Sequence, residues 1–337
     1  MIKIIDFQPD NSDHVKQWEK VHSLSSNSWI FSLYDNFCFL ADKAEALNSS
    51  KLIYKDRDLI GVMPLVTVLA ADGTKQFITD DGIPIPFFLR GVGDKLYKNA
   101  LSEVVDSFFS NEASNAATAK WACWKFGHFD ELRFDEWRRR LSDYDAIEHF
   151  FETIYLTLPN WSEDDVRASY SKGIRKYGHE YEFSMLDGLT HGFIEDYAEI
   201  HNLDSGLSQP KESFYERLKP IAHGNGRVFQ ALHVKSKRLA GVLVVYHDKT
   251  DAYDGSVAIH PDFASEYVAH ALKVFAIRRL KTAGFFRYIL GERFLISHAP
   301  DQRLEAKKKN ISFFKEGFGE FKTGMSSRFI WEPPRHS

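Results

Sequence analysis

A mixed α/β fold built twice in tandem is what this chain's sequence predicts, and three observations predict it. Residues 52–66 (LIYKDRDLIGVMPLV) and 232–246 (LHVKSKRLAGVLVVY) match at an offset of 180, pairing Leu52, Lys55, Leu59, Gly61 and Val62 with Leu232, Lys235, Leu239, Gly241 and Val242. Each copy is an apolar run, a charged turn and a second apolar run opening near glycine, the pattern of two antiparallel strands in a hairpin. Downstream of each hairpin the similarity continues: an Asp-Gly pair (Asp81-Gly82; Asp254-Gly255), a helical stretch (96–109; 268–283) and a β-rich run (121–126; 285–290). So long a period marks a duplicated domain, because solenoid units recur every few tens of residues. The length of 337 residues agrees with two domains, each burying its own core.

From the N-terminus, a strand at Ile2–Ile5 leads to a helix starting near Ser12, whose hydroxyl can cap free amides. An aromatic segment from Trp29 to Leu40 precedes the first hairpin. In the segment 80–86 beyond that hairpin, Pro84 and Pro86 bar a central strand. A helix at 96–109 and a strand at 121–126 complete the first repeat. After a β-like run at 150–158, Ser162 can cap a helix whose first turn is acidic, and the domain boundary is placed there, giving 1–158 and 159–337. That helix ends in the basic turn Ser171 to Gly178, with Gly178 as its C-cap. Helices at 192–203 and 211–223, the hairpin 227–246, a strand at 251–259, a long helix at 268–283, a strand at 285–290 and a last strand at 327–331 complete the chain.

Apolar residues at 44% and charged residues at 27% exclude a disordered or fibrous class. Aromatic residues at 15% imply thick cores. The N-terminal residues turn polar too early for a signal peptide, and no apolar run is long enough to cross a bilayer, so a cytoplasmic location is expected. Cys38 and Cys123 read as free thiols in a helix and a strand. The 14 histidines lack metal-ligand spacing, and no metal is expected. A net charge of −4 argues against a DNA-coating role, although the basic runs 137–140 and 305–309 leave a polyanion partner open.

Several motifs carry a resemblance. Lys172-Gly173-Ile174-Arg175-Lys176-Tyr177-Gly178, Tyr253 in a strand, the strand end Phe285–Gly291 and above all Phe314-Lys315 with Phe318-Gly319 stand in an order that resembles the Fem-like branch of the GNAT acyltransferase superfamily, which holds peptidoglycan-bridge transferases and surface-polysaccharide acyltransferases. The resemblance implies tandem GNAT-like domains, the second catalytic, and acyl-CoA or aminoacyl-tRNA as donor. The acceptor it implies is an amine on a lipid-linked or nucleotide-linked cell-envelope precursor. No heptad-like helical arm is present, which leans toward an amino sugar as acceptor; the alternative enzyme is an aminoacyl-tRNA-dependent transferase acting on a peptidoglycan peptide or a small natural product. Two departures stand out. Where acetyl-CoA-dependent members carry a glycine-rich turn for the pyrophosphate, this chain has Ala264-Ser265-Glu266-Tyr267-Val268-Ala269, and Glu266 would repel phosphate unless it points away. The family's strand-end Asp is Ile289 here.

Acyl transfer to an amine needs a donor for the oxyanion and an acceptor for the amine proton. The resemblance puts Lys315 first for the oxyanion, with Phe314 shielding it. Asp254 and Glu292 are the candidate bases, with His260 beside them. Tyr253 and Arg293 are candidate substrate contacts, and Lys172 and Arg175 could hold phosphates of the acceptor or of tRNA. Each has a plainer reading: Asp254-Gly255 as a bulge, Glu292-Arg293 as an ion pair, His260 as a turn residue before Pro261, Lys172 and Arg175 as helix-end cations. In the first half, Arg90-Gly91-Val92-Gly93-Asp94 could hold an anion or could be only a turn. A non-catalytic module that recognises a glycan or lipid-linked intermediate is the alternative from another class.

Overall fold

The structure, a computed structural model, describes residues 1–43, 45–78, 82–112, 116–125, 131–294 and 306–333. Asp81 of the first Asp-Gly pair, the end of the predicted strand at 126 and Glu305 lie outside the described residues. The chain divides into two compact units, Met1–Phe151 with Met325–Ser337, and Glu152–Gly324. The last strand therefore joins the first unit, a return that the division 1–158 and 159–337 does not contain.

The first unit comprises β1 (Ile2–Asp6), α1 (Ser12–Leu24), α2 (Tyr34–Lys43), β2 (Leu47–Asn48), β3 (Lys51–Lys55), β4 (Asp58–Met63), β5 (Val66–Leu69), β6 (Lys75–Phe77), β7 (Ile83–Pro84), β8 (Phe87–Phe88), α3 (Asp94–Ser107), β9 (Ala116–Cys123), α4 (Glu131–Ser142) and the start of β10 (Ile147–Thr157). The second holds the rest of β10, α5 (Ala168–Tyr177), β11 (Tyr181–Met185), α6 (His191–Ser205), α7 (Glu212–Ala222), β12 (Gly226–His233), β13 (Leu239–Asp248), β14 (Asp251–Ile259), α8 (Val268–Thr282), β15 (Arg287–Arg293) and α9 (Ala306–Lys315). β16 (Phe321–Trp331) is the last element, and its residues 327–331 pair antiparallel with β9.

The two hairpins match in backbone detail. In β3–β4, Ile53 faces Gly61 and Tyr54 faces Leu59, so Ile60 is a bulge; in β12–β13, Ala231 faces Gly241 and Leu232 faces Leu239, so Ala240 is a bulge. The same hydrogen bond reaches each bulge from the chain beyond its hairpin, Leu89 N–H to Ile60 O at 2.9 Å and His260 N–H to Ala240 O at 2.9 Å. Val62 and Val242 are equivalent, yet their partners are Leu52 and Gln230, so the first strands correspond at 178 and not at 180. The second turn is two residues longer, which letter matching alone does not reveal.

In the second unit the strand order is β11-β12-β13-β14-β15-β10, antiparallel except for the parallel pair β14–β15. In the first, the equivalent of β14 is cut in two. β7 runs parallel to β9 and β8 antiparallel to β4, with Ile85-Pro86 between them. Proline lacks the N–H a continuous strand would need there. Each unit buries its own apolar cluster, the first around Trp18, Trp121 and Trp137 and the second around Phe229, Leu243, Tyr288 and Phe318.

Several local signals land a residue or a turn away from their expected places. Asn11, not Ser12, caps α1, accepting from Asp13 N–H at 3.0 Å. Ser162 caps only a short 3-10 turn at Glu163–Asp165, and α5 starts afresh at Ala168. Gly178 is the C-cap of α5 as expected, but it stays right-handed and continues into another short turn. Cys38 lies in α2 and Cys123 in β9, and neither is in a disulfide. Among the described residues no helix is long and apolar enough to cross a membrane, and none of their His, Cys, Asp and Glu side chains cluster as a metal site.

Candidate active site

The site of the second unit forms where β14 and β15 part. They pair only at Asp251–Arg287, Ala252–Tyr288 and Tyr253–Ile289, while β13 accompanies β14 as far as Ile259. Two bulges mark the parting. On β14, Val245 faces Asp254 and Val244 faces Ser256, leaving Gly255 as the extra residue. On β15, Ile154 of β10 faces Gly291 and Tyr155 faces Ile289, leaving Leu290 as the extra residue. An extra residue bends its strand and re-aims the side chains beyond it. The plainer reading of Asp254-Gly255 is thus true, and it serves the site. It turns Asp254 toward α8, where Lys273 meets it, and Ser256 toward α6, where Tyr197 Oη lies 3.1 Å from its Oγ. Only glycine fits at 255, because a Cβ would lie 2.4 Å from the Tyr246 ring.

Below the parting the strands are clamped by charge. Arg287 Nε donates to Asp251 Oδ1 at 2.8 Å, and Nη2 reaches Oδ2 at 2.5 Å. The side chains of both residues are 10% exposed.

Lys315 arrives from the other side at the end of α9. Ser312 of α9 latches the helix to the end of β15, accepting from Phe294 N–H at 2.8 Å. The segment after α9 is seated by two aromatic residues: the Tyr170 ring covers Gly317, where a Cβ would fall 2.0 Å from it, and Trp161 Nε1 donates to Phe318 O at 2.6 Å. Phe318 is fully buried. The closing signature therefore fixes the lysine between its two phenylalanines. Lys315 Nζ donates to Glu292 O at 2.9 Å. It lies 3.2 Å, and Tyr253 Oη 3.4 Å, from the point a Cβ on Gly291 would occupy. Gly291 has φ +92°, which glycine adopts without strain and which leaves room for both polar atoms. Burial pulls the Lys315 ammonium down to about 8; Asp254 and Glu292 pull against that shift, and Lys273 adds to it.

Two residues of this cluster escape sequence reasoning. Lys273 of α8, 1% exposed, forms an ion pair with Asp254 Oδ2 and lies 5.2 Å from the Phe314 ring centre and 5.6 Å from that of Phe318. Tyr288 donates to Asp254 Oδ1 at 2.9 Å, and its burial together with that carboxylate raises its pKa well above the usual phenol range. A lysine on the apolar face of α8, in line with Ile277 and Leu280, is the signal that could have found the pair.

The other candidates are placed differently. Arg293 is held by Glu316 at 2.7 Å and Glu152 at 3.1 Å. His260 caps the turn after β14, with Asp262 N–H donating to its Nδ1 at 3.2 Å and Arg238 Nη2 at 2.8 Å from its Nε2. It stands seven residues beyond Tyr253, about 20 Å along a strand. Lys172 is exposed, and Arg175 lines a groove of about 420 Å³ with Glu163, Ser171 and Arg278. In α4 the basic run is occupied by acids: Arg138 by Glu148 at 2.8 Å, Arg139 by Glu136 at 2.5 Å and Arg140 by Asp143 at 2.9 Å.

The turn before α8 has no glycine between residues 264 and 269. Glu266 accepts a hydrogen bond from Tyr181, which draws it aside, but Tyr267 takes the left-handed conformation at the cap, and its ring lies 2.4 Å from where a Cβ on Gly173 would be. The equivalent turn of the first unit is open, with nothing within 4 Å of a Cβ at Gly91 or Gly93. The Arg133 guanidinium holds its carbonyls, at 2.6 Å for Val92 O.

No protein-family model matches the chain, and no curated protein matches it by sequence. Solved structures do. FemX superposes with a TM-score of 0.65 at 10% identity, covering 94% of this chain and 96% of FemX. L-PGS from Bacillus licheniformis gives 0.59 at 10% identity, covering 98% and 93%. A tandem GNAT protein from the clavulanic acid biosynthesis pathway gives 0.51 at 12% identity, covering 98% of each chain. The fold is thus that of the tandem GNAT-like, Fem-like proteins. At such identities the likeness establishes the fold and leaves the chemistry to the site.

Proposed function

We propose that the second unit transfers an acyl or aminoacyl group from an activated donor to an amine of a cell-envelope or surface-polysaccharide precursor, with an amino sugar as the acceptor. The observation that carries this reading is the convergence of Lys315 Nζ and Tyr253 Oη on Gly291 where two parallel strands part. Above the parting β14 and β15 no longer pair with each other, and an acyl carbonyl placed between them could accept from backbone amides there. Holding that carbonyl beside the amine supplies several kcal/mol of barrier reduction through placement alone. The glycine-free turn before α8 favours a donor that is not gripped through a pyrophosphate there, an aminoacyl ester over an ordinary acyl-CoA.

The test is a panel of acyl-CoAs and aminoacyl-tRNAs, each assayed for transfer to glucosamine and for a rise in melting temperature. A ligand bound only by the native state stabilises it by mass action. The expected result is N-acylated sugar from at least one donor, with a matching stabilisation. Stabilisation by a glycan or lipid-linked intermediate with no transfer from any donor would replace the reading with that of a binding module. Salt-sensitive binding of tRNA would accompany an aminoacyl donor.

A further inference from the structure

We propose that Lys273 is a positioning residue: by pairing with Asp254 it keeps that carboxylate away from Lys315, and so leaves the Lys315 amine to take the proton from the attacking nucleophile. The inference rests on the transferase reading and reassigns the base within it.

Both oxygens of Asp254 are already engaged, Oδ2 by the Lys273 ammonium and Oδ1 by the Tyr288 hydroxyl. A carboxylate with both oxygens so held is not aimed at a substrate, and turning it toward one would strand the ammonium of Lys273 in a fully buried place. Lys315 is differently situated. It is half-buried at the parting of the strands, and it donates to a neutral carbonyl, Glu292 O. Among the described residues the charged and titratable groups around it are Tyr253 and Asp254 from β14, Lys273 from α8 and Glu292 from β15, with Glu316 turned to Arg293, while His270 of α8 packs on Phe314. Burial pushes His270 down to about 4, so it is neutral beside them at physiological pH. Asp254 and Lys273 cancel one another, and burial is then free to favour the neutral amine of Lys315.

The step balances. The acceptor nitrogen attacks the acyl carbon and forms the C–N bond, and one N–H proton passes to Lys315 Nζ. The tetrahedral intermediate then expels the donor's oxygen or sulfur, which leaves with the bonding pair and takes the proton back from Lys315. No other reactant is needed.

The test reads Lys315 without any substrate. Brief acetylation with acetic anhydride across a pH series, with mass spectrometry of the Lys315 peptide, gives the midpoint of its reactivity. In the wild type the expected midpoint is about 8. In Lys273→Met the freed Asp254 turns its charge on Lys315 and raises the midpoint, so labelling at pH 8 falls about fivefold for the first unit and about tenfold for each further one. Asp254→Asn shifts it the other way. The rising limb of the pH profile of kcat moves with the labelling curve. An unchanged midpoint in Lys273→Met overturns the proposal. If that variant does not fold, the wild-type curve decides, because a midpoint at the ordinary lysine value of about 10.4 overturns it equally. Absence of transfer with every donor would sink the transferase reading and leave the labelling result standing, so the two failures are distinguishable.

Discussion

Lys315→Met is expected to lower turnover at least ~100-fold while leaving the melting temperature nearly unchanged. General acid–base groups contribute about 10² to 10⁴ in rate, and methionine removes the amine while keeping the apolar stem. The stem packs at the end of α9, whose position is set by Ser312, Phe318 and the aromatic pair Tyr170 and Trp161, none of which depends on the lysine head group. The loss should fall on kcat more than on KM, since the amine acts on the reacting atoms. Turnover within about threefold of wild type, measured with an identified donor and acceptor, would remove Lys315 from the chemistry.

The largest expected loss of stability in the second unit comes from Asp251→Ala. It leaves the Arg287 guanidinium buried at the closed end of the wedge without its bidentate carboxylate. Removing one member of a buried ion pair costs about 3 to 5 kcal/mol, because the other charge keeps its desolvation penalty. Urea unfolding should show the midpoint falling at nearly constant slope. The double variant Asp251→Leu with Arg287→Leu should recover most of the loss, since a well-packed apolar pair often does as well as the ions it replaces. A loss below about 1 kcal/mol for Asp251→Ala would show that the clamp contributes nothing to holding β14 beside β15.

Much of this fold is legible in the residues because hairpins announce themselves locally. Alternation, a charged turn and a glycine opening suffice to place β3–β4 and β12–β13. Matching letters cannot deliver register, however. The two-residue difference between the turns is invisible until backbone partners show that Ile60 and Ala240 are the equivalent bulges. The prolines at 84 and 86 are hostile to a central strand, as their chemistry predicts, but their effect is to divide one strand between two sheets, which depends on long-range pairing. Helix α4 escapes notice in the sequence because its run of charges reads as a solvated surface, while Phe134, Trp137 and Leu141 form its buried stripe.

The site shows the same division. Lys315 and Gly291 carry local signatures, and Asp254-Gly255 is recognisable as a bulge. Asp254 stands out, but its partners do not, because a buried ion pair joins residues 19 positions apart through a helix packed on a strand. His260 draws notice by its chemistry alone, and a histidine before Pro261 does well as a turn cap.

Hydrogen–deuterium exchange of the wild-type protein, with and without the donor that raises its melting temperature, reads the wedge directly. The expected result is new protection in peptides spanning residues 254–259 and 290–293, beyond the last pair of β14 with β15, where the acyl carbonyl would be held. Protection confined to other segments, with these two unchanged, would contradict an acyl group held between β14 and β15.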